Sequence, residues 1–230
     1  MKKSDLIILL CVALLLSPFF IFDSVYHTYL DINRSFPLLA AFVKFAILST
    51  FGEVLGVRIK TGKYTLHHFG LLPRAVVWGF LGMWIALSLA VFRSGVPAFL
   101  DQFSCLHGIN AAMMESFSGM KLIGAFAISV VMNTSFAPVF MTIHKITDAH
   151  ISQYQGKLHC FCHPVRIKEI LSGINWNVQW GFVFKKTIPF FWIPAHTITF
   201  ILPKDLQVLF AALCGVALGV ILAIASLKKD

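Results

Sequence analysis

Four side chains of types that bind soft metal ions stand close together in one connecting stretch of the sequence. They are His159, Cys160, Cys162 and His163. Thiolate and imidazole are ligands that zinc and copper accept. However, adjacent ligands rarely serve one tetrahedral ion, and no second cysteine pair completes a standard zinc spacing. We therefore expect no resident metal or other cofactor, and a metal-responsive loop is the alternative.

Polar side chains also interrupt long apolar stretches. They are Lys44, Glu53, Asn133 and His196. Such groups are costly at membrane depth unless they face protein or water, so they often mark pathways. At about 1.5 Å of rise per residue, three of them lie near the middle of separate stretches. Glu53 lies nearer the inner end, within reach of Arg74 or Lys186. We predict that the four residues line a polar pore. The alternative is that Lys44 snorkels to the interface and that Asn133 and His196 hydrogen-bond neighbouring helices without conduction.

Prolines break the same apolar stretches at Pro73, Pro138 and Pro194. A proline has no N–H, so it removes a helix hydrogen bond and frees a carbonyl oxygen. We predict helix kinks at these positions that open a cavity or form part of a gate. Ordinary packing kinks are the alternative.

The apolar stretches that carry these residues dominate the composition. The 230-residue chain is 58% hydrophobic and 13% charged, with a mean hydropathy of +0.81, which excludes an ordinary soluble protein. A bilayer core about 30 Å thick needs roughly 20 apolar residues per helix. We therefore predict an all-α, polytopic transmembrane helix bundle with six spans. The predicted spans are Leu6–Phe22, Phe36–Val57, Phe69–Phe92, Gly119–Ile143, Thr187–Leu202 and Asp205–Leu227.

Lysine and arginine are distributed unevenly between alternate connections. With the N-terminus inside, 14 fall on the inner side and 4 on the outer side. Because basic residues are retained on the cytoplasmic face, we predict that both termini are cytoplasmic and that the chain lies in the cell membrane. A mitochondrial inner membrane is the alternative. The net charge of +9 then indicates anionic lipid headgroups as partners, and not nucleic acid.

The chain is predicted to form a single transmembrane domain over residues 1–230. Residues 1–28 add an N-terminal span to a helical core over 29–230. No small-residue cleavage site follows the first span, so we expect it to be retained; a cleaved secretory signal is the alternative. Apolar residues at helical spacing predict an amphipathic interfacial helix near 164–181. Small residues four apart in the last span predict close packing, within the chain or in a homo-oligomer.

Four stretches resemble, in serial order, motifs of the Mpv-seventeen/PMP-twenty-two family of small membrane proteins. The second span ends in FGEVLGVRI, which is similar to the family's Gly-Asp helix end, with Glu53 at the acidic position. The third opens with FGLLPRAVVW, which is similar to its Gly-Pro signature. The fourth contains NTSFAPVF, and the fifth contains FFWIPAHTITFILP. The matching residues outside the second span are Pro73, Trp78, Phe136, Ala137, Pro138, Trp192, Pro194, Phe200 and Pro203.

The sequence departs from the family pattern at several polar positions. Asn133 stands where the family usually has Asp, and His196 stands roughly where it has Gln. The resemblance extends from Tyr29 to the C-terminus and implies a small pore whose solute is undefined. We therefore expect a channel-like protein that conducts small solutes or ions, and not an enzyme. The alternative is a non-conducting scaffold, or a metal-responsive membrane protein that uses the His/Cys loop.

Overall fold

The computed structural model describes residues 3–64 and 67–227. Helices account for 86% of the chain and the described residues contain no strand, which confirms the all-α prediction. In hydrocarbon a backbone must satisfy its own hydrogen bonds, and a helix does so within one segment. Three lysines of the charge count lie outside the described residues, namely Lys2, Lys228 and Lys229.

Ten α-helical segments and one long π-helix make up the described fold. The longer helices are α1 (Lys3–Ile21), α2 (Asp23–Ser35), α3 (Pro37–Thr61), α4 (Leu71–Leu100), α6 (Gly119–Gln153) and α10 (Lys204–Leu227). The shorter ones are α5 (Ile109–Ala112), α7 (Ile167–Gly173), α8 (Trp176–Val178) and α9 (Ile193–Ile201). The π-helix is Gln179–Trp192, and two 3-10 turns are Ser104–Leu106 and Leu158–Cys162.

Among the described residues, five helices are long and apolar enough to cross a membrane: α1, α3, α4, α6 and α10. The predicted fifth span, Thr187–Leu202, has a different structure. The π-helix continues into α9 without a break, so helical backbone runs from Trp176 to Ile201. Pro189 lies inside the π-helix and Pro194 near the start of α9. Because neither proline has an N–H, regular α-helical bonding is interrupted there.

The interfacial helix predicted near 164–181 is shorter than expected. Helix α7 ends at Gly173, and the side chain of Asn175 accepts a hydrogen bond from the Val178 N–H at 3.2 Å. Asparagine is a favoured N-cap, so it starts a new helix at this point. The second half of the predicted segment therefore belongs to the helix that continues into the π-helix.

The described residues divide into two compact units, one within Met1–Ala40 and the other within Ala41–Asp230. In the first unit, α1 has no buried residue, and the Phe19 ring packs edge-on against Tyr29 of α2 at 5.7 Å between centroids. In the second unit, α6 is the central helix, which packs against α4, α9 and the π-helix. The core there consists of Phe45, Leu89, Met113, Ala125, Ile128, Met132, Phe200, Ala211 and Ala212.

Helices α3 and α10 approach closely along small residues. A methyl group at Gly52 would lie 2.9 Å from the Val216 Cα, and one at Gly219 would lie 3.2 Å from the Gly52 carbonyl oxygen. Small side chains allow this backbone contact, which supplies van der Waals packing where no hydrophobic driving force exists. The small-residue stripe of the last span thus packs within the chain.

Candidate functional site

An extensive polar network of the second unit joins α3, α4 and α6. Arg74 Nη1 donates to Glu53 Oε2 at 2.9 Å and also contacts Asp148 Oδ1. Trp78 Nε1 donates to Glu53 Oε1 at 2.9 Å, and His144 Nε2 lies 3.3 Å from the same oxygen. We call these five residues the Arg74 cluster. It connects one carboxylate on α3 and one on α6 through a single guanidinium on α4.

The backbone near the start of α4 holds Arg74 in place. Gly70, with φ of +74°, precedes the helix, and a methyl group there would lie 2.7 Å from the Cα of Gly156. Glycine alone adopts this conformation freely and permits such contact. The Arg74 Nε also donates to the Phe69 carbonyl oxygen at 2.7 Å. The start of α4 is therefore fixed against Gly156, in the segment that follows α6. Asp148 lies in α6 itself, one turn before its end.

Of the predicted pore residues, only Glu53 belongs to the Arg74 cluster. Arg74 was one of its two candidate partners, whereas neither His144 nor Asp148 was predicted to contact Glu53. A spacing signal was present, because Arg74 and Trp78 are four apart on α4, as are His144 and Asp148 on α6. Residues four apart share one helix face.

A second polar site lies in the middle of the bundle, between α6 and α9. The Asn133 side-chain amide lies 3.0–3.2 Å from His196 Nδ1, and Asn133 Nδ2 donates to the Ser129 carbonyl oxygen at 2.8 Å. Asn133 is fully buried and His196 is 8% exposed. The Trp192 ring stacks on His196 at 5.1 Å between centroids. The structure thus brings together two of the four predicted pore residues.

The three predicted kink prolines have different positions. Pro138 lies in the interior of α6, as a kink requires. Pro73 stands in the first turn of α4, where its missing N–H costs no helix bond, so no kink is expected there. Pro194 is the second residue of α9, and the carbonyl of Ile193 before it accepts a 2.7 Å bond from Ser129 Oγ. That bond ties α9 to α6 beside the Asn133–His196 pair.

Lys44 is half-buried on α3 and interacts electrostatically with Asp205 in the first turn of α10. Nine residues separate Lys44 from Glu53, about 13 Å of helix. Eleven residues separate Asn133 from His144, about 16 Å of helix. Lys44 and Asn133 therefore lie at similar distances from the Arg74 cluster, each measured along its own helix.

Two buried hydroxyls lie on α3 between Lys44 and Glu53. Ser49 and Thr50 are each 4% exposed, and Ser49 Oγ and Thr50 Oγ1 have no hydrogen-bond partner among the described residues. A buried polar atom without a partner costs about 1–3 kcal/mol. Neither residue was predicted as a site from the sequence, since serine and threonine in an apolar helix usually bond to the carbonyl four residues earlier. Both hydroxyls are thus enclosed by protein atoms in this structure.

The His/Cys loop is packed by aromatic contacts. The Tyr154 ring stacks on His163 at 4.7 Å between centroids and meets His159 edge-on at 5.3 Å. His150 Nε2 lies 2.9 Å from the Cys160 carbonyl oxygen. Across residues 3–64 and 67–227, no group of three or more His, Cys, Asp or Glu side chains is arranged to hold a metal ion.

The two cysteines of this loop should differ in reactivity. Cys160 is fully buried, and burial raises the pKa of its thiol, whereas Cys162 is exposed. Because the thiolate is the reactive form, we expect iodoacetamide at neutral pH to modify Cys162 about tenfold or more faster than Cys160. Peptide mapping by mass spectrometry measures both rates. A Cys162→Ser variant is the control, in which Cys160 should stay slow; equal rates in the wild type would contradict the buried position.

Apolar helices of membrane-spanning length and a bundle with buried charged and polar groups define the class: an all-helical membrane protein. No family model, no curated protein and no solved structure matches the chain.

Proposed function

We propose that the chain is a small membrane pore or channel that conducts small solutes or ions, and that it is related to the Mpv-seventeen/PMP-twenty-two proteins. The observation that carries the proposal is the pair of unpartnered hydroxyls of Ser49 and Thr50 inside the bundle. Buried polar atoms in native proteins are almost always bonded, so each exception needs an explanation. Contact with water or a passing solute supplies one.

The polar groups on either side of these hydroxyls support the same proposal. The Arg74 cluster lies toward one end of α3, and Lys44 lies about 13 Å away on the same helix. The buried Asn133–His196 pair adds polar groups at a height similar to that of Lys44. A polar route past α3 would therefore meet charged or hydrogen-bonding side chains at both ends and hydroxyls between them.

The topology that fits this route has six spans, of which the π-helix and α9 together supply the fifth. Both termini then lie on the cytoplasmic side of the cell membrane, as the distribution of lysine and arginine favours. A cysteine-accessibility experiment tests this arrangement. The five native cysteines, Cys11, Cys105, Cys160, Cys162 and Cys214, are first replaced by serine, because exposed native thiols would also react. In that background a membrane-impermeant maleimide added to intact cells should label a cysteine introduced at Ser94 and leave one introduced at Ser152 unlabelled.

Flux through the reconstituted protein tests the pore directly. The Ser49→Ala/Thr50→Val double variant removes both hydroxyls and keeps the side-chain shapes. We expect its current in planar bilayers to fall at least about fivefold, which corresponds to the loss of about 1 kcal/mol of polar contact. Ser94→Ala is the matched control, because Ser94 Oγ is exposed and bonds the Ala90 carbonyl oxygen at 3.1 Å.

The outcomes separate the candidate functions. An unchanged current in the double variant would eliminate these hydroxyls as pore lining. No current in the wild type would eliminate the pore and favour the second candidate, a non-conducting scaffold. The scaffold is supported by the Arg74 cluster, whose two carboxylates are already paired within the chain.

A further inference from the structure

The π-helix has a buried face and an exposed face that differ in chemistry. Its buried residues are Gln179 and, about two π-helical turns later, the adjacent pair Thr187 and Ile188. The exposed face carries Trp180, which is 57% exposed, and the exposed Lys185. The Lys185 ammonium lies 6.0 Å from the centre of the Trp180 ring.

The π-helical register explains why these two side chains meet. In an α-helix the neighbours on one face are three or four residues apart, so residues five apart point in different directions. In a π-helix the backbone bonds join residues five apart, which brings such residues onto one face. The wider turn thus places an indole and an ammonium group together, with Lys186 as the next residue.

We propose that Trp180, Lys185 and Lys186 form a binding site for the headgroup phosphate of an anionic phospholipid. Among the described residues, neither lysine makes an ion pair with a carboxylate, and the Trp180 indole N–H has no bonded acceptor. Two ammonium groups and one N–H match the negative charge and acceptor oxygens of a phosphate. This site does not depend on whether the bundle conducts.

The surroundings of the site match the interface between lipid and water. Trp176, Val178 and Phe182 are 43%, 51% and 39% exposed, so apolar side chains flank the charged groups. Trp176 Nε1 donates to the Leu171 carbonyl oxygen at 3.1 Å, which attaches α7 to this segment. Tryptophan with lysine is typical of the headgroup level, where the ring is half in lipid and the ammonium reaches water.

The binding of anionic lipid at this site can be measured in the full chain by lipid retention. The protein is placed in nanodiscs of phosphatidylcholine and phosphatidylglycerol in equal parts, stripped with detergent, and the bound lipids are counted by native mass spectrometry. We expect the wild type to retain phosphatidylglycerol in preference to phosphatidylcholine. Because each lysine near an anionic surface adds about fivefold in affinity, Lys185→Gln/Lys186→Gln should weaken the binding of phosphatidylglycerol about 25-fold.

Three further variants make the test specific. Lys60→Gln/Lys204→Gln removes two exposed lysines elsewhere, which have no neighbouring indole in a shared site among the described residues, and should weaken the preference much less. Lys185→Arg/Lys186→Arg keeps both charges and should retain the preference, which separates charge from folding. Trp180→Phe keeps the apolar ring, loses the N–H and should give a smaller loss. Absence of a preference in the wild type, or equal losses in the Lys185/Lys186 and Lys60/Lys204 variants, would overturn the proposal.

Discussion

Replacing Arg74 by methionine should lower the free energy of unfolding by about 3–5 kcal/mol. The substitution leaves the carboxylates of Glu53 and Asp148 without their shared guanidinium. The Arg74 side chain is only 12% exposed, and the two carboxylates are 21% and 25% exposed. An uncompensated charge in such surroundings is much less well solvated than in water, so the cost is far larger than that of a surface pair.

Arg166→Met provides the matched control. Arg166 also pairs with a glutamate, Glu169, at 3.5 Å, but its side chain is 66% exposed. Exposed pairs contribute about 0–1 kcal/mol, so this variant should unfold almost as the wild type does. Unfolding in mixed micelles by denaturing detergent, followed by circular dichroism, measures both. Equal losses in the two variants would show that the Arg74 cluster is not a buried network.

Gly82→Ala should destabilise the bundle by about 1–3 kcal/mol through overpacking. A methyl group at Gly82 would lie 2.4 Å from the Cβ of Phe45, where α4 meets α3. The Cβ of Phe45 is fixed to its backbone, so it cannot rotate away. The two helices would have to separate, and the contacts around Phe45, which is 2% exposed, would be lost.

Gly95→Ala, on the same helix, should leave the free energy of unfolding unchanged or raise it slightly. A methyl group at Gly95 would meet nothing within 4 Å. Alanine is the better helix former by up to about 1 kcal/mol, so this variant should be as stable as the wild type or slightly more stable. The same detergent unfolding assay measures both variants. A loss for Gly95→Ala as large as that for Gly82→Ala would mean that helix α4 as a whole, and not the contact with Phe45, resists the change.

Long apolar stretches were sufficient to predict an all-helical fold, because the need to satisfy backbone hydrogen bonds in hydrocarbon is a local requirement. The place of each polar residue along its apolar stretch also identified Arg74 as a candidate partner of Glu53. It likewise identified Asn133 and His196 as polar groups near the middle of their spans. The joining of Asn133 to His196 was not predictable from spacing, since 63 residues separate them. Whether two such groups touch depends on the rotation of each helix about its axis.

The amino-acid sequence by itself determined which segments are helical and apolar and where charged groups interrupt them, because these properties depend on neighbours along the chain. Only the tertiary structure decided three further features: the Arg74 cluster, the unpartnered hydroxyls of Ser49 and Thr50, and the π-helix that pairs Trp180 with Lys185. Each depends on the rotation of a helix about its axis, on the distance between packed helices, or on the wider turn of a π-helix. Those adjustments are set by contacts between residues distant in sequence, which no local pattern encodes.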